Sequence, residues 1–86
     1  MSSPVLDAEY DDLDWLSVNS SAVEAVAYVP RFGRLYVRWH QQPGARYRTY
    51  RYHNVPPRVW DQIQTAGSVG EFVNRVVKRF GYDPVE

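Results

Sequence analysis

The feature that most constrains the fold is a strict alternation of apolar and polar residues over residues 34–40, in the stretch RLYVRWH. Leu35, Val37 and Trp39 occupy one parity, so they lie on one face of an extended strand. The residues between them are charged, aromatic or polar. This period of two predicts a half-buried antiparallel strand. Its apolar face needs a covering layer, and the rest of the chain has to supply it.

Two more strands are predicted beside this one. Residues 23–29 are rich in valine and alanine and lead through the turn VPRFGR into the alternating strand. The Pro-Gly turn QQPGA follows, and residues 46–53 then form a third strand in which Tyr50 and Tyr52 share one parity. Because the links are short, the three strands form an antiparallel meander, and we expect Tyr50 and Tyr52 to face its core.

Two helices are predicted after the double proline that ends the third strand. Proline also suits a first helical turn, so residues 57–66 form one helix, which stops at Gly67. Ser68 and Glu71 fit a capping box, and apolar residues at three- and four-residue steps continue a second helix to Phe80. The predicted fold class is therefore α+β, a three-stranded antiparallel meander followed by two helices packed on one face of the sheet (βββαα).

Charge is divided unevenly along a chain whose 10 basic and 10 acidic residues balance. Residues 1–14 carry five carboxylates and no base, a net charge of −5, so the remaining ten bases and five acids give +5. We expect residues 1–14 to be an acidic, disordered tail and residues 15–86 to form the domain. A short induced helix is the alternative for the tail, since Tyr10, Leu13 and Leu16 fall at helical spacing.

Length and composition exclude several classes of protein. Eighty-six residues support one core, and the absence of cysteine excludes disulfides and thiolate metal sites. No apolar run reaches the roughly 20 residues of a membrane span, so we expect a soluble, cytoplasmic protein. His40 and His53 have no Ser–His–Asp set, paired carboxylates or metal-ligand spacing around them. We therefore expect no enzyme, no cofactor and no metal site.

Five short stretches in order resemble the KTSC domain family, which is named after the C-terminus of some lysyl-tRNA synthetases. They are SSAVEAVAY, LYVRW, YRYHNVPPRV, SVGEFVN and a closing aromatic near Tyr82. The resemblance covers residues 15–82 and implies a standalone bacterial or phage domain without synthetase machinery. It implies no established activity, and only the synthetase connection suggests RNA. Two segments depart from the family pattern: HQQPGARYRT, a longer link between strands, and NRVVKRFGY near the end.

The outward parity of the meander is the candidate binding surface. Arginines beside aromatic rings on a bare sheet resemble the surfaces that hold single-stranded nucleic acid, where bases stack on rings and guanidinium groups meet phosphate. The sequence therefore predicts binding of RNA or single-stranded DNA. The candidate residues are Tyr36 and Tyr47 for stacking, Arg38, Arg48 and Arg51 for phosphate, and Arg75, Lys78 and Arg79 for auxiliary charge.

A protein-interaction adaptor is the alternative function. The tail's carboxylates would compete with phosphate for the same arginines, so the tail acts as an internal brake or the partner is itself an acidic protein. The stretch EYDDLDWL also mixes acids with rings and leucines, as short partner-binding motifs do. A three-stranded sheet has open edges, so the oligomeric state is either a monomer or an edge-paired dimer.

Overall fold

The computed structural model describes residues 4–85, so residues 1–3 of the predicted tail and Glu86 lie outside the described residues. The protein is an α+β domain with an antiparallel sheet. Its elements in chain order are helix α1 (Pro4–Asp11), strands β1 (Leu16–Ser17), β2 (Val23–Val29), β3 (Arg34–Trp39) and β4 (Thr49–Tyr52), helices α2 (Pro57–Thr65) and α3 (Val69–Arg75), a 3₁₀ turn (Val77–Arg79) and strand β5 (Tyr82–Pro84).

The sheet has five antiparallel strands in the order β1-β2-β3-β4-β5. The predicted meander forms its centre, but the predicted βββαα order is incomplete, because β1 precedes the meander and β5 returns to it after the helices. Strand β5 pairs with the free edge of β4, where unpaired backbone groups need partners. The amide of His53 donates to the carbonyl of Gly81 at 2.8 Å, and the amide of Val85 to that of Thr49 at 2.8 Å.

The core lies between one sheet face and the two helices. Leu35 pairs with Tyr52 across β3 and β4, and Tyr52 is only 3% exposed, which confirms its predicted inward position. Tyr50 is half-buried and packs against the rim of the same core. Helices α2 and α3 cover this face with side chains that include Ile63 and Val73.

Two turns position the sheet against the helices. Gly33, between β2 and β3, has a φ of +64°, a conformation that side-chain-bearing residues rarely adopt. Its carbonyl accepts a hydrogen bond of 2.8 Å from the amide of Val55, at the corner that leads into α2. The Tyr28 hydroxyl donates to the Val55 carbonyl at 2.6 Å, and the Tyr28 ring stacks on Trp60. This corner therefore ties the meander to the first helix.

Helix α3 begins as the sequence predicts and ends earlier. The Ser68 hydroxyl accepts a hydrogen bond of 3.3 Å from the amide of Glu71, as an N-cap does. The predicted continuous helix to Phe80 is wrong, because α3 stops at Arg75 and a 3₁₀ turn follows. The adjacent β-branched Val76 and Val77 favour a helix poorly, and the tighter turn delivers the chain to the edge of β4.

Candidate functional site

The sheet face opposite the helices carries the cluster of arginines and rings that the sequence singles out. We call it the arginine–tyrosine face, formed by Arg34, Tyr36, Arg38, Thr49 and Arg51. The pairs Tyr36–Arg51 and Arg38–Thr49 lie side by side on neighbouring strands. Since Leu35 and Val37 point into the core, these residues project from the other side of the sheet.

The N-terminal arm, residues 4–15, lies across this face. The Glu9 carboxylate accepts hydrogen bonds from Arg34 Nε and Arg34 Nη2, each 2.8 Å long. The Tyr36 hydroxyl donates to the same carboxylate at 2.5 Å. A planar guanidinium that donates two hydrogen bonds to one carboxylate forms a strong and geometrically specific contact. Glu9 therefore anchors the arm at the centre of the face.

Two rings of the arm extend this contact along the face. The Tyr10 and Trp15 rings lie 5.9 and 6.4 Å from the Tyr36 ring, measured between centroids. The Arg38 guanidinium lies 4.1 Å from the centroid of a Trp15 ring, and its Nη2 donates to the Tyr10 hydroxyl at 3.0 Å. Cation–π contacts of this kind strengthen when water is excluded. The arm thus presents an acid flanked by two aromatic side chains.

Small residues on β2 leave room for the arm. Ala27 pairs with Tyr36 and Ala25 with Arg38, and both alanines are at most 5% exposed. A methyl group rises less above the sheet than any larger side chain, so these two positions add little bulk beside Tyr36 and Arg38. Strand β1, which follows the arm, pairs with β2 and fixes the direction in which the chain leaves the face.

The electrostatics of the contact follow from its geometry. The hydrogen bonds from Arg34 lower the pKa of Glu9 below its ordinary value, burial opposes them, and the Tyr36 hydroxyl lowers it further. Burial first, and then the bond to Glu9, raise the pKa of Tyr36 to about 12. The carboxylate is therefore charged and the phenol neutral at physiological pH.

A second ionic cluster lies at the β4–β5 edge. Asp83 Oδ2 is 2.7 Å from His53 Nε2 and 3.0 Å from Arg51 Nη2. His53 first, and then Arg51, lower the pKa of Asp83. This cluster holds Arg51, which is 9% exposed, against the sheet.

One expectation from the sequence is wrong here. The predicted open face is covered by the arm, whose described part contains helix α1. Tyr36 is 0% exposed, so it cannot stack on a base while the arm is docked. The reason is that the tail's carboxylates and the body's arginines satisfy one another.

The eight predicted site residues do not form one surface. Tyr36, Arg38 and Arg51 lie beneath the arm, and Arg48 pairs with Glu24 at 2.8 Å. The exposed residues Arg75, Lys78 and Arg79 belong to α3 and the 3₁₀ turn. Tyr47 and Lys78 line a separate groove on the helix side of the sheet.

The pair at the centre of the site was not predicted from the sequence. Neither Glu9 nor Arg34 was a candidate, because neither residue type marks a site by itself. A signal did exist, since a net charge of −5 faces one of +5 and Tyr10 lies at helical spacing from Leu13. What the sequence could not supply was which carboxylate meets which arginine.

Among residues 4–85, no group of three or more histidine, cysteine or carboxylate side chains is placed to hold a metal ion. Within the same range, no helix is long and apolar enough to cross a bilayer.

Most of the chain is similar to known proteins. The family model of the KTSC domain matches residues 19–82. The chain belongs to the KTSC domain family. A small protein of Tsukamurella paurometabola is 46% identical over 61 residues, which are 71% of this chain and 84% of that protein. The crystal structure of a KTSC domain protein from Yersinia pestis superposes with a TM-score of 0.77 at 27% identity, covering 86% of this chain and 99% of that one.

The position of the family match separates two parts of the site. Strands β2 to β4, and with them the arginine–tyrosine face, lie within the matched residues of this KTSC domain, which end at the first residue of β5. The N-terminal arm precedes them. The face and the segment that covers it therefore come from different parts of the chain.

Proposed function

We propose that this KTSC domain is a non-catalytic protein-interaction module whose arginine–tyrosine face binds an acidic segment containing aromatic residues. One observation carries the proposal: Arg34 and Tyr36 already hold such a segment through Glu9, with contacts of 2.8, 2.8 and 2.5 Å. In this view the arm is a ligand held in cis, and a partner with a similar segment displaces it.

The contacts of the arm define what a partner has to offer. The partner needs one carboxylate that can accept hydrogen bonds from the Arg34 guanidinium, and aromatic rings placed to contact Tyr36 and Arg38. In the arm, the carboxylate and one ring come from the neighbouring residues Glu9 and Tyr10 of α1, and the second ring, that of Trp15, comes from the chain between α1 and β1. The tethered arm competes at a high effective concentration, on the millimolar scale for a short linker, so a successful partner has to bind considerably more tightly than the arm peptide alone.

Binding of single-stranded RNA or DNA is the second candidate. An arginine fork suits phosphate as well as carboxylate, and the face retains Arg38 and Arg51 beside Tyr36. Nucleic acid would also have to displace the arm, whose negative charge then repels it. The acidic protein segment is the first candidate because it reproduces the contact present in the structure.

Competition between the arm and a labelled peptide tests the proposal. The probe is a fluorescent peptide with the sequence of residues 4–17, and the receptor is the full chain carrying Glu9→Lys, which places a cation against Arg34. We expect this receptor to bind the peptide at least tenfold more tightly than the unaltered chain, in a salt-sensitive manner. Asp11→Lys, the same charge change at an exposed position of α1, is the matched control and should resemble the unaltered chain.

A labelled hexanucleotide measured in parallel separates the two candidates. Tighter binding of the peptide by the Glu9→Lys chain, with oligonucleotide affinity equal to that of the unaltered chain, supports the adaptor. An oligonucleotide affinity that rises in the Glu9→Lys chain, without tighter peptide binding, favours nucleic acid at this face instead. If the Glu9→Lys chain binds neither, the face has no ligand of either class and the proposal is wrong.

A further inference from the structure

An aromatic groove lies on the side of the sheet away from the arm. It has a volume of about 520 Å³ and is lined by Trp39, His40, Gln42, Ala45, Tyr47, Tyr50, Tyr52, Lys78 and Tyr82. Tyr50 pairs with Val37, and Tyr82 with Tyr52, so these rings share the face of the core rather than that of the arm. No residue of α2 or α3 is among the described residues that line the groove.

The rings of the groove form a floor and two exposed walls. The Tyr50 and Tyr52 rings each lie 5.6 Å from the Tyr82 ring, and together they make the floor. Tyr82 is 57% exposed and Tyr47, from the loop between β3 and β4, is 38% exposed. Large aromatic side chains are mostly buried in folded proteins, whereas these two face the solvent across a concave surface.

The charge of the groove is positive. The Lys78 ammonium lies 5.1 Å from the centroid of a Trp39 ring, and among the described lining residues none is acidic. Because Lys78 already occupies the cation–π position on Trp39, a cationic ligand would meet repulsion there. A planar ligand with negative charge meets rings for stacking and an ammonium for the charge.

The geometry points to a nucleotide site in this groove, with the base stacked on the exposed rings of Tyr47 and Tyr82 and the phosphate at Lys78. The volume lies within the range of about 300–1,000 Å³ that small-ligand sites occupy. Stacking on aromatic side chains accepts any base, because each base offers a flat π surface. The ligand class is therefore a nucleoside phosphate, either free or within a single strand.

Two segments far apart in the chain meet at this groove. The link between β3 and β4 supplies Tyr47, and the segment NRVVKRFGY supplies Lys78 and Tyr82. Segments far apart in the chain thus contribute a ring, a cation and a second ring to one concavity. This site is independent of the arginine–tyrosine face, which lies on the opposite side of the sheet.

Chemical-shift mapping with the full chain tests the site. Adenosine monophosphate and a uridine hexanucleotide are titrated separately, and we expect shifts at the Trp39 indole and at Tyr82 with both. The two affinities show which form of nucleotide the groove binds. If its ligand is single-stranded nucleic acid, the hexanucleotide should bind more tightly than the monophosphate. If its ligand is a free nucleotide, the two should bind equally.

Variants separate this site from others on the same protein. Tyr47→Ala should weaken nucleotide binding roughly tenfold, the loss expected for one stacked ring, and as a loop change it leaves every strand intact. Lys78→Ala should weaken binding several-fold and reduce its salt dependence, whereas Arg79→Ala, its exposed neighbour, should change it less than twofold. Phe32→Ala is the matched control for an exposed ring outside the groove.

Two sets of results would contradict a nucleotide site in this groove. Shifts confined to Arg34, Tyr36 and Arg38, or binding that appears only in the Glu9→Lys chain, would move the nucleotide to the other face. Equal affinities for Tyr47→Ala, Lys78→Ala and the unaltered chain, or no shifts at millimolar nucleotide, would overturn the site outright.

Discussion

Removing the Glu9 carboxylate is the most informative single perturbation of this domain. The Glu9 side chain is 10% exposed and the Arg34 side chain is 17% exposed, so most of this ion pair is shielded from water. Hydrogen bonds to charged groups contribute roughly 1.5–3 kcal/mol each. Glu9→Ala removes three of them, but the released arm lets water reach Arg34 and Tyr36. We therefore expect a net loss of about 2–3 kcal/mol rather than the sum.

This loss is large enough to measure by unfolding. For a domain of this size, 1 kcal/mol shifts the melting temperature by about 4–8 °C, so Glu9→Ala should lower it by roughly 8–24 °C. A double-mutant cycle with Arg34→Ala, followed by urea denaturation, isolates the pair. We expect a coupling energy of about 2 kcal/mol, and near-additive behaviour when Arg31→Ala replaces Arg34→Ala. A coupling energy indistinguishable from zero for Glu9 and Arg34 would refute the reasoning.

Three further outcomes follow from the structure. The folded-state pKa of Glu9 lies below its ordinary 4.5. The ionised Glu9 carboxylate therefore stabilises the fold fully above about pH 4.5, and this stabilisation is lost as the pH falls through the lowered pKa. The unfolding free energy of Glu9→Gln, measured by urea denaturation, should decline less over the same pH range. Tyr52→Ala should cost about 3–5 kcal/mol in urea denaturation, because the ring is 3% exposed, and Tyr50→Ala should cost less. Gly33→Ala should cost about 1–2 kcal/mol, since φ is +64° and a Cβ would meet the Val55 carbonyl at 3.2 Å; an unchanged midpoint would contradict this.

The central meander could be predicted because its signals are local. Alternation over residues 34–40 fixes which parity enters the core, and the same logic applied to β4 correctly turns Tyr52 inward. The start of α3 was also predictable, because Ser68 and Glu71 carry the capping pattern within one turn. In each case the side chains that decide the structure lie within a few residues of one another.

The remaining features depend on distant pairings. Strand β5 has three residues and includes Pro84, so it has no period of its own and forms only because β4 offers an edge. The arm forms its site with Arg34, 25 residues beyond Glu9. Composition revealed that opposite charges were segregated, but the covered face depends on three-dimensional placement, which explains why an open surface was the wrong prediction.

Proton NOE spectra of the full chain test the central claim most directly, namely that the arm covers the arginine–tyrosine face. The ring centroids of Tyr10 and Trp15 lie 5.9 and 6.4 Å from that of Tyr36, so we expect cross-peaks between their ring protons and those of Tyr36. Random-coil shifts throughout residues 4–15, with none of these cross-peaks, would contradict it.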